Sequence, residues 1–328
     1  MDRKQLIRLY QNREIKMNIK AVLGMASYNS GEGHIYESIK SIQAQTFRNF
    51  ELIIYEDPSE NSLPDKVIKL IQSDPRITYI QGDKRLGSCG SFNLLLKQCI
   101  KKNVQYFAWV TDHDLFHESW LESLIEKLEK DRNAVVAYPR KKNIDSLGKE
   151  VTQNTFLASD VLLYENDHMS VIKRIISFAF LRSGTGDIAH GLFKVDTLKK
   201  SNIEWPTKIT TDKLFLLRLM KFGSIVSVNQ ILFFRREKEE EIEFTKSNRM
   251  IERQFKSVFI GKTPKIYSFL NYRLVNFLYL LKHELILGAY RKQNILLSLL
   301  VPLSYFFGSL MILFYHFQGF FSNKLKKK

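Results

Sequence analysis

The sequence predicts an α/β fold, a mostly parallel sheet with helices on both faces. Three observations carry this. Strand-like apolar runs alternate with helix-period stripes from residue 19 to residue 138. Acidic pairs and turn residues stand where those strands end, as at Glu56-Asp57 and at Asp112-His113-Asp114. At 328 residues the chain holds one large or two small domains with ample core, and it shows no internal repeat.

The elements follow in order. Ile19 to Met25 reads as a strand. Ile35, Ile39 and Ile42 then recur at helical spacing. Phe50 to Tyr55 is a second strand, followed by a helical stripe of Val67, Ile68 and Ile71. Ile77 to Ile80 is a short third strand, and Phe92, Leu95, Leu96 and Cys99 mark the next helix. Tyr106 to Val110 is an unbroken apolar and aromatic run, hence a buried strand. Leu121, Leu124, Ile125 and Leu128 form an amphipathic helix, with Ser119 and Glu122 as its expected capping box. Ala134 to Tyr138 is another strand.

Residues 141–185 are less regular and are expected to form a lid or acceptor loop after Arg140-Lys141-Lys142, with a turn at Ser183 to Asp187. A second patterned block runs from His190 to Phe234, and Glu237 to Glu243 is expected as a solvated loop. From Pro264 the character changes. Ile266 to Ile286 is rich in Leu, Phe and Tyr, and Ile295 to Phe321 is nearly uncharged. The latter would span about 40 Å as a helix, but it contains Pro302 and Gly308 and has basic residues at both ends. An interfacial or re-entrant segment is expected, with both ends on the cytoplasmic side of a membrane. A buried core helix or a dimer contact is the other reading.

Lys and Arg total 50 against 34 Asp and Glu, a formal charge of +16. This points to an anionic partner. No nucleic-acid-binding motif is present, so nucleic acid is not expected. No Gly-x-Gly-x-x-Gly follows the first strand, where Ala26-Ser27-Tyr28-Asn29 stands, which disfavours a dinucleotide-dependent oxidoreductase. Cys89 and Cys99 give neither metal-ligand spacing nor a disulfide framework. Met1 to Lys16 lacks the apolar core of a signal peptide, so a cytosolic setting is expected.

Several residues invite chemistry, each with a plainer alternative. Asp112 and Asp114, at a strand's carboxyl end, suit a hard divalent cation, and that cation suits a diphosphate. The plainer reading of the pair by itself is a turn and a helix cap. Asp57, with Glu56, can accept from a nucleobase N–H, or can form the turn before Pro58. Ser27-Tyr28-Asn29 offers backbone groups and a ring to a base, or is an ordinary strand-exit turn. Asp212 opens an expected amphipathic helix and reads as its cap. His190 is an acceptor or phosphate contact, or structural. Arg235 and Arg236 clamp a diphosphate, or form a solvated basic pair.

Over its first 235 residues the chain resembles the family two glycosyltransferases, inverting enzymes of the GT-A fold, in their bacterial cell-surface polysaccharide branch. The resemblance rests on motifs in order: Ser27-Tyr28-Asn29, Ser41-Ile42-Gln43-Ala44-Gln45-Thr46-Phe47, Glu51 to Asp57, Arg85-Leu86-Gly87 with Phe92-Asn93, Trp109 to Leu115, Gly191-Leu192-Phe193, Thr211 to Leu216, and Leu232 to Arg236. It implies a nucleotide-diphosphate sugar donor, a glycan or lipid-linked acceptor, and Mn²⁺ or Mg²⁺. It implies Asp212 as the base, Asp114 as the metal ligand, and Asp112 on the ribose or a metal-bound water. Arg85 and Asn93 join the donor side. His113 departs from the family pattern, and its side chain is expected to point back into the sheet or to ligate the metal. The domains expected are a basic extension at 1–16, a GT-A domain at 17–245 and a membrane-associated helical region at 246–328. A basic membrane- or nucleic-acid-binding protein with a degenerate transferase site is the alternative.

Overall fold

A computed structural model describes residues 19–30, 33–61, 63–151, 163–181, 185–201, 204–205 and 212–237, together with 277–278, 281–282, 296, 299–308 and 310–311. The first half alternates as its periodicity predicts. The elements are β1 (Ala21–Ser27), α1 (Ile35–Gln43), β2 (Phe50–Glu56), α2 (Asp65–Ser73), β3 (Ile77–Gln81), α3 (Gly87–Ile100), β4 (Tyr106–Val110), β5 (Leu115–Phe116), α4 (Trp120–Lys130) and β6 (Ala134–Ile144). There follow α5 (Val171–Phe180), α6 (Thr185–Ala189), β7 (Leu192–Lys194), α7 (Val195–Ser201), α8 (Asp212–Leu219) and β8 (Ser224–Arg236).

The eight strands form one sheet in the order β3-β2-β1-β4-β7-β6-β8-β5. Strands β3, β2, β1 and β4 are mutually parallel, and β6 and β8 pair in parallel. The sheet is mostly parallel, as expected, but β7 runs antiparallel between β4 and β6, and β5 runs antiparallel on β8. Side chains alternate across each strand. On β4, Phe107 and Trp109 enter one core, while Tyr106, Ala108 and Val110 enter the other. Helices cover both faces, which is why these strands read as unbroken apolar runs. Trp109 centres one core, with its ring centroid 4.7 Å from Phe107, 5.2 Å from Trp205 and 5.4 Å from Phe215. Cys99 is a core residue whose thiol burial pushes up to about 12.

Several expectations need correcting. The capping box does not form. Ser119 makes no side-chain cap bond, and Glu122 instead accepts from Thr46 Oγ1 at 2.6 Å. The fully buried Gln45 does the capping: its Oε1 accepts from Leu121 N at 2.9 Å, and its Nε2 donates to His117 O at 2.7 Å. That is a physical reason for the Ala44-Gln45-Thr46 motif. We expect Gln45→Ala to cost about 1–2 kcal/mol in urea unfolding, because it leaves the buried N–H of Leu121 unpaired.

Strand β6 continues past Tyr138 to Ile144, where its charged half pairs with β8 across register shifts. Helix α5, inside the region expected to be irregular, escaped the sequence reading. Its signal was Ser170, whose side chain caps Lys173 N, ahead of buried Arg174, Ile175, Phe178 and Ala179. Helix α8 is not amphipathic, since Leu214 to Leu219 are all buried. Glu237 is buried rather than solvated, and its N–H donates to Ile144 O at 2.8 Å; residues 238–243 lie outside the described residues. In the C-terminal region, Val301 and Tyr305 join the Trp109 core. A methyl group added at Gly308 would collide with the Ala179 carbonyl oxygen, so this helical run lies in backbone contact with α5. Residues 1–16 and most of 246–328 lie outside the description, and no helix among the described residues is long and apolar enough to cross a membrane.

Candidate active site

Parallel registry builds the site. Ser27 stands opposite Glu56 and Met25 opposite Val110, so the residues after β1, β2 and β4 leave the sheet on one edge. Ligands of open α/β sheets bind at that edge. Strand β7 runs the other way, so its beginning lies beside the end of β4. His190, just ahead of β7, brings Nδ1 to 3.4 Å from Trp109 O. Gly186, in α6, is where Asp212 arrives: a methyl group there would sit 3.4 Å from Asp212 Oδ2. Asp212, at the first described position of α8, thus stands beside α6, the helix that leads through His190 into β7.

The two aspartates expected to share a metal behave differently. Asp112 accepts from Ser30 Oγ through one oxygen and meets His113 Nδ1 at 2.8 Å through the other, and its side chain is 18% exposed. Asp114 is 2% exposed, and both its oxygens are taken: Oδ2 by Thr111 Oγ1 at 2.6 Å, Oδ1 by Arg236 N at 2.7 Å. Strand β5 follows directly and carries its carboxylate inward. Each Asp114 oxygen keeps a second lone pair, and Asp112 is the more exposed of the two carboxylates that could hold a cation carried in by a diphosphate, which needs only one or two protein oxygens. Among the described residues no group of three or more His, Cys, Asp or Glu could hold a metal by itself. His113 does not point back into the sheet; its ring is 44% exposed. Nearby His34 has its pKa lowered, first by burial and then by the Arg236 charge.

Arg236 does not face a diphosphate. Its guanidinium donates to His113 O at 2.9 Å, Asp145 O at 3.0 Å, Ser146 O at 2.8 Å and Glu37 Oε2 at 2.6 Å. Successive strand residues point to opposite faces, so Arg236 turns inward while Arg235 stays 43% exposed, 3.6 Å from Glu237 Oε1. Arg236 ties the Asp112–Asp114 loop to α1 and to the turn after β6. Arg236→Ala should destabilise the protein by about 2–3 kcal/mol in urea unfolding, since the buried guanidinium's charge-assisted bonds to three carbonyls and Glu37 are lost.

The nucleotide side shows the same division. Asp57 is buried and accepts from Leu86 N and Gly87 N, each at 2.7 Å, bracing the left-handed Gly87 (φ 70°) at the start of α3. Each oxygen keeps a second lone pair. Glu56 is buried and accepts from Tyr79 Oη. Asn93 spends its amide on the Trp205 backbone, at 2.9 and 2.7 Å, so the donor-side role expected of it gives way to a core clamp. Tyr28 is 45% exposed, with the Arg85 guanidinium 4.2 Å over its ring, next to Asn29 at φ 56°. Ser27 Oγ is buried without a hydrogen-bond partner among the described residues. On the Asp212 side, sequence reasoning missed the pair Lys141–Asp187, 2.7 Å apart and each less than a fifth exposed. Its only signals were a basic run and a turn.

Comparison with known proteins adds to this geometry. The family model described as "Glycosyl transferase family 2" matches residues 23–192. An uncharacterized glycosyltransferase of Haemophilus influenzae is 34% identical over 107 residues, 33% of this chain and 32% of that protein. The Escherichia coli UDP-Glc:alpha-D-GlcNAc-diphosphoundecaprenol beta-1,3-glucosyltransferase WfgD is 31% identical over 107 residues, 33% of this chain and 40% of that protein. These matches therefore span between 32% and 40% of these relatives' own length. Among solved structures, S. aureus TarS 1-349 is similar with a TM-score of 0.53 at 15% identity, covering 89% of this chain and 90% of that one, a likeness of fold.

Proposed function

Since the chain belongs to glycosyl transferase family 2, we propose that it is an inverting glycosyltransferase that moves a sugar from a nucleotide-diphosphate donor to a glycan or lipid-linked acceptor. The observation that supports this reading is the approach of Asp212 to Gly186, four residues ahead of His190, whose ring reaches Trp109 O at the end of β4. Inverting transfer needs one carboxylate within reach of the acceptor hydroxyl, opposite the leaving diphosphate. In this reading Asp212 takes the hydroxyl proton, and Asp112 holds the donor side. Tyr28 and Arg85 form the platform for the base, with Asp57 beneath them. Mn²⁺ or Mg²⁺, held by Asp112 together with the donor's phosphates, would supply charge neutralisation for the leaving group.

WfgD's name states a UDP-glucose donor and a diphosphoundecaprenol-linked acceptor. It supports the classes proposed for this chain, a nucleotide sugar and a lipid-linked acceptor. A lipid-linked acceptor fits a protein of charge +16 working at the cytoplasmic face of the cell membrane.

The test is a thermal-shift screen of nucleoside diphosphates and their sugars, with and without Mn²⁺, followed by a turnover assay on the hits. A ligand at a hundred times its Kd stabilises the native state by about 2.7 kcal/mol. We expect one nucleoside diphosphate to raise Tm more with Mn²⁺ than without it, and its sugar to be turned over. A protein that neither binds nor hydrolyses any nucleotide sugar would favour the alternative, a basic binding protein with a degenerate site.

A further inference from the structure

Among the described residues eleven large apolar side chains are exposed, and eight of them gather on two segments. Three are on α5: Ile172 (54%), Ile176 (40%) and Phe180 (38%). Their spacing of four residues puts them on one helical face, opposite the buried Ile175, Phe178 and Ala179. Five more lie between residues 278 and 311, among them Leu303 (42%), Phe307 (55%) and Met311 (40%), again four apart. The two segments touch, backbone to backbone, at Gly308 and Ala179. Each helix therefore buries one apolar face on the domain and presents a second apolar face outward.

The charge carried by these two segments is mostly basic, although Glu165 and Asp167 stand ahead of α5. Helix α5 has no acidic residue, and Lys173 is exposed between Ile172 and Ile176. Lys282 is also exposed. Residues 291–328 hold six Lys and Arg and no Asp or Glu. Pairing this face with a second copy would bring two chains of charge +16 together. An anionic surface is attracted to it instead, at about 1 kcal/mol per basic residue near the headgroups. The face also ends beside the candidate base: Lys213, next to Asp212, donates through Nζ to Leu181 O at the end of α5, at 2.8 Å.

We propose that α5 and the 299–308 helix form a single docking face for an anionic lipid bilayer, set so that the membrane surface meets the protein at the Asp212 end of the site. The catalytic domain itself, through α5, takes part in the attachment. The binding step stands on the exposed side chains and their charge; its consequence, delivery of a lipid-linked acceptor to Asp212, rests on the transferase reading.

The test uses the full chain and sedimenting vesicles of phosphatidylcholine with or without phosphatidylglycerol. Wild type should partition onto the phosphatidylglycerol vesicles and weakly onto phosphatidylcholine alone. The triple variant I172E/I176E/F180E should lose about tenfold or more in partitioning. The milder I172S/I176S, at exposed positions, should lose part of it with an unchanged Tm, which separates lost docking from lost folding. Binding of both variants equal to wild type, or equal wild-type binding to both vesicle types, would overturn the proposal. So would a wild-type dimer in sedimentation velocity that the variants dissolve, which would make a second copy the occupant. Transfer to a soluble acceptor is read on the same variants. Loss of vesicle binding with soluble transfer intact supports docking. Vesicle binding without turnover of any nucleotide sugar leaves docking standing and removes only the transferase reading.

Discussion

Asp212→Asn should leave donor binding intact and lower turnover by roughly a hundredfold or more, the usual cost of removing a general base. Asparagine keeps the size and hydrogen-bonding capacity of the side chain, and it is as good a residue as aspartate at a helix start. Stability should therefore change little, and the loss should fall on kcat while the nucleoside diphosphate Kd stays put. Titration calorimetry and steady-state kinetics on one preparation read both. The nearby Asp187 is the control. It is paired with Lys141 at 2.7 Å, so Asp187→Asn removes an ion pair and not the base. Should Asp187→Asn prove the more damaging of the two, the base is Asp187 and Asp212 is a cap.

Asp112→Ala and Asp114→Ala should fail in different ways. Asp112 is partly exposed and bonded to Ser30 and His113. Its removal should cost about 1 kcal/mol of stability or less. It should abolish the Mn²⁺-dependent part of nucleoside diphosphate binding and lower turnover by roughly a hundredfold or more. Asp114 is buried and accepts from Thr111 and from Arg236 N. Its loss should destabilise the fold by about 2–3 kcal/mol, because the N–H of Arg236 is left buried and unpaired. Urea unfolding and calorimetry with and without Mn²⁺ separate the two. An Asp114→Ala protein that is stable but blind to Mn²⁺ would restore Asp114 as the ligand, as the family resemblance implies.

The elements of the first half were legible because they are local. Leu52 to Tyr55 and Tyr106 to Val110 are apolar runs that only a strand covered on both faces tolerates. Ile35, Ile39 and Ile42 can share a side only on a helix. The strand ends carrying Asp57 and Asp112 followed from the same patterns, and with them the edge on which a ligand sits. Helix α5 was not read, and its polar and apolar residues do not sort by burial: Arg174 is buried while Ile172, Ile176 and Phe180 are exposed.

What each polar side chain does was decided by tertiary structure. Periodicity identifies a strand but not its neighbours, so nothing local revealed that β7 lies reversed between β4 and β6 and carries His190 and Gly186 to the end of β4. Hydrogen-bond partners are set by position in space. Arg236 meets Glu37 across 199 residues of sequence, and its N–H meets Asp114 across 122. Those bonds make Arg236, expected as a diphosphate clamp, a brace of the loop that carries Asp114. Sequence alone established the alternating elements, the acidic strand ends and the charge. Three-dimensional packing determined which carboxylates face solvent at the edge and which are used up inside, because a buried polar group must find its partner wherever the fold brings one within hydrogen-bonding distance.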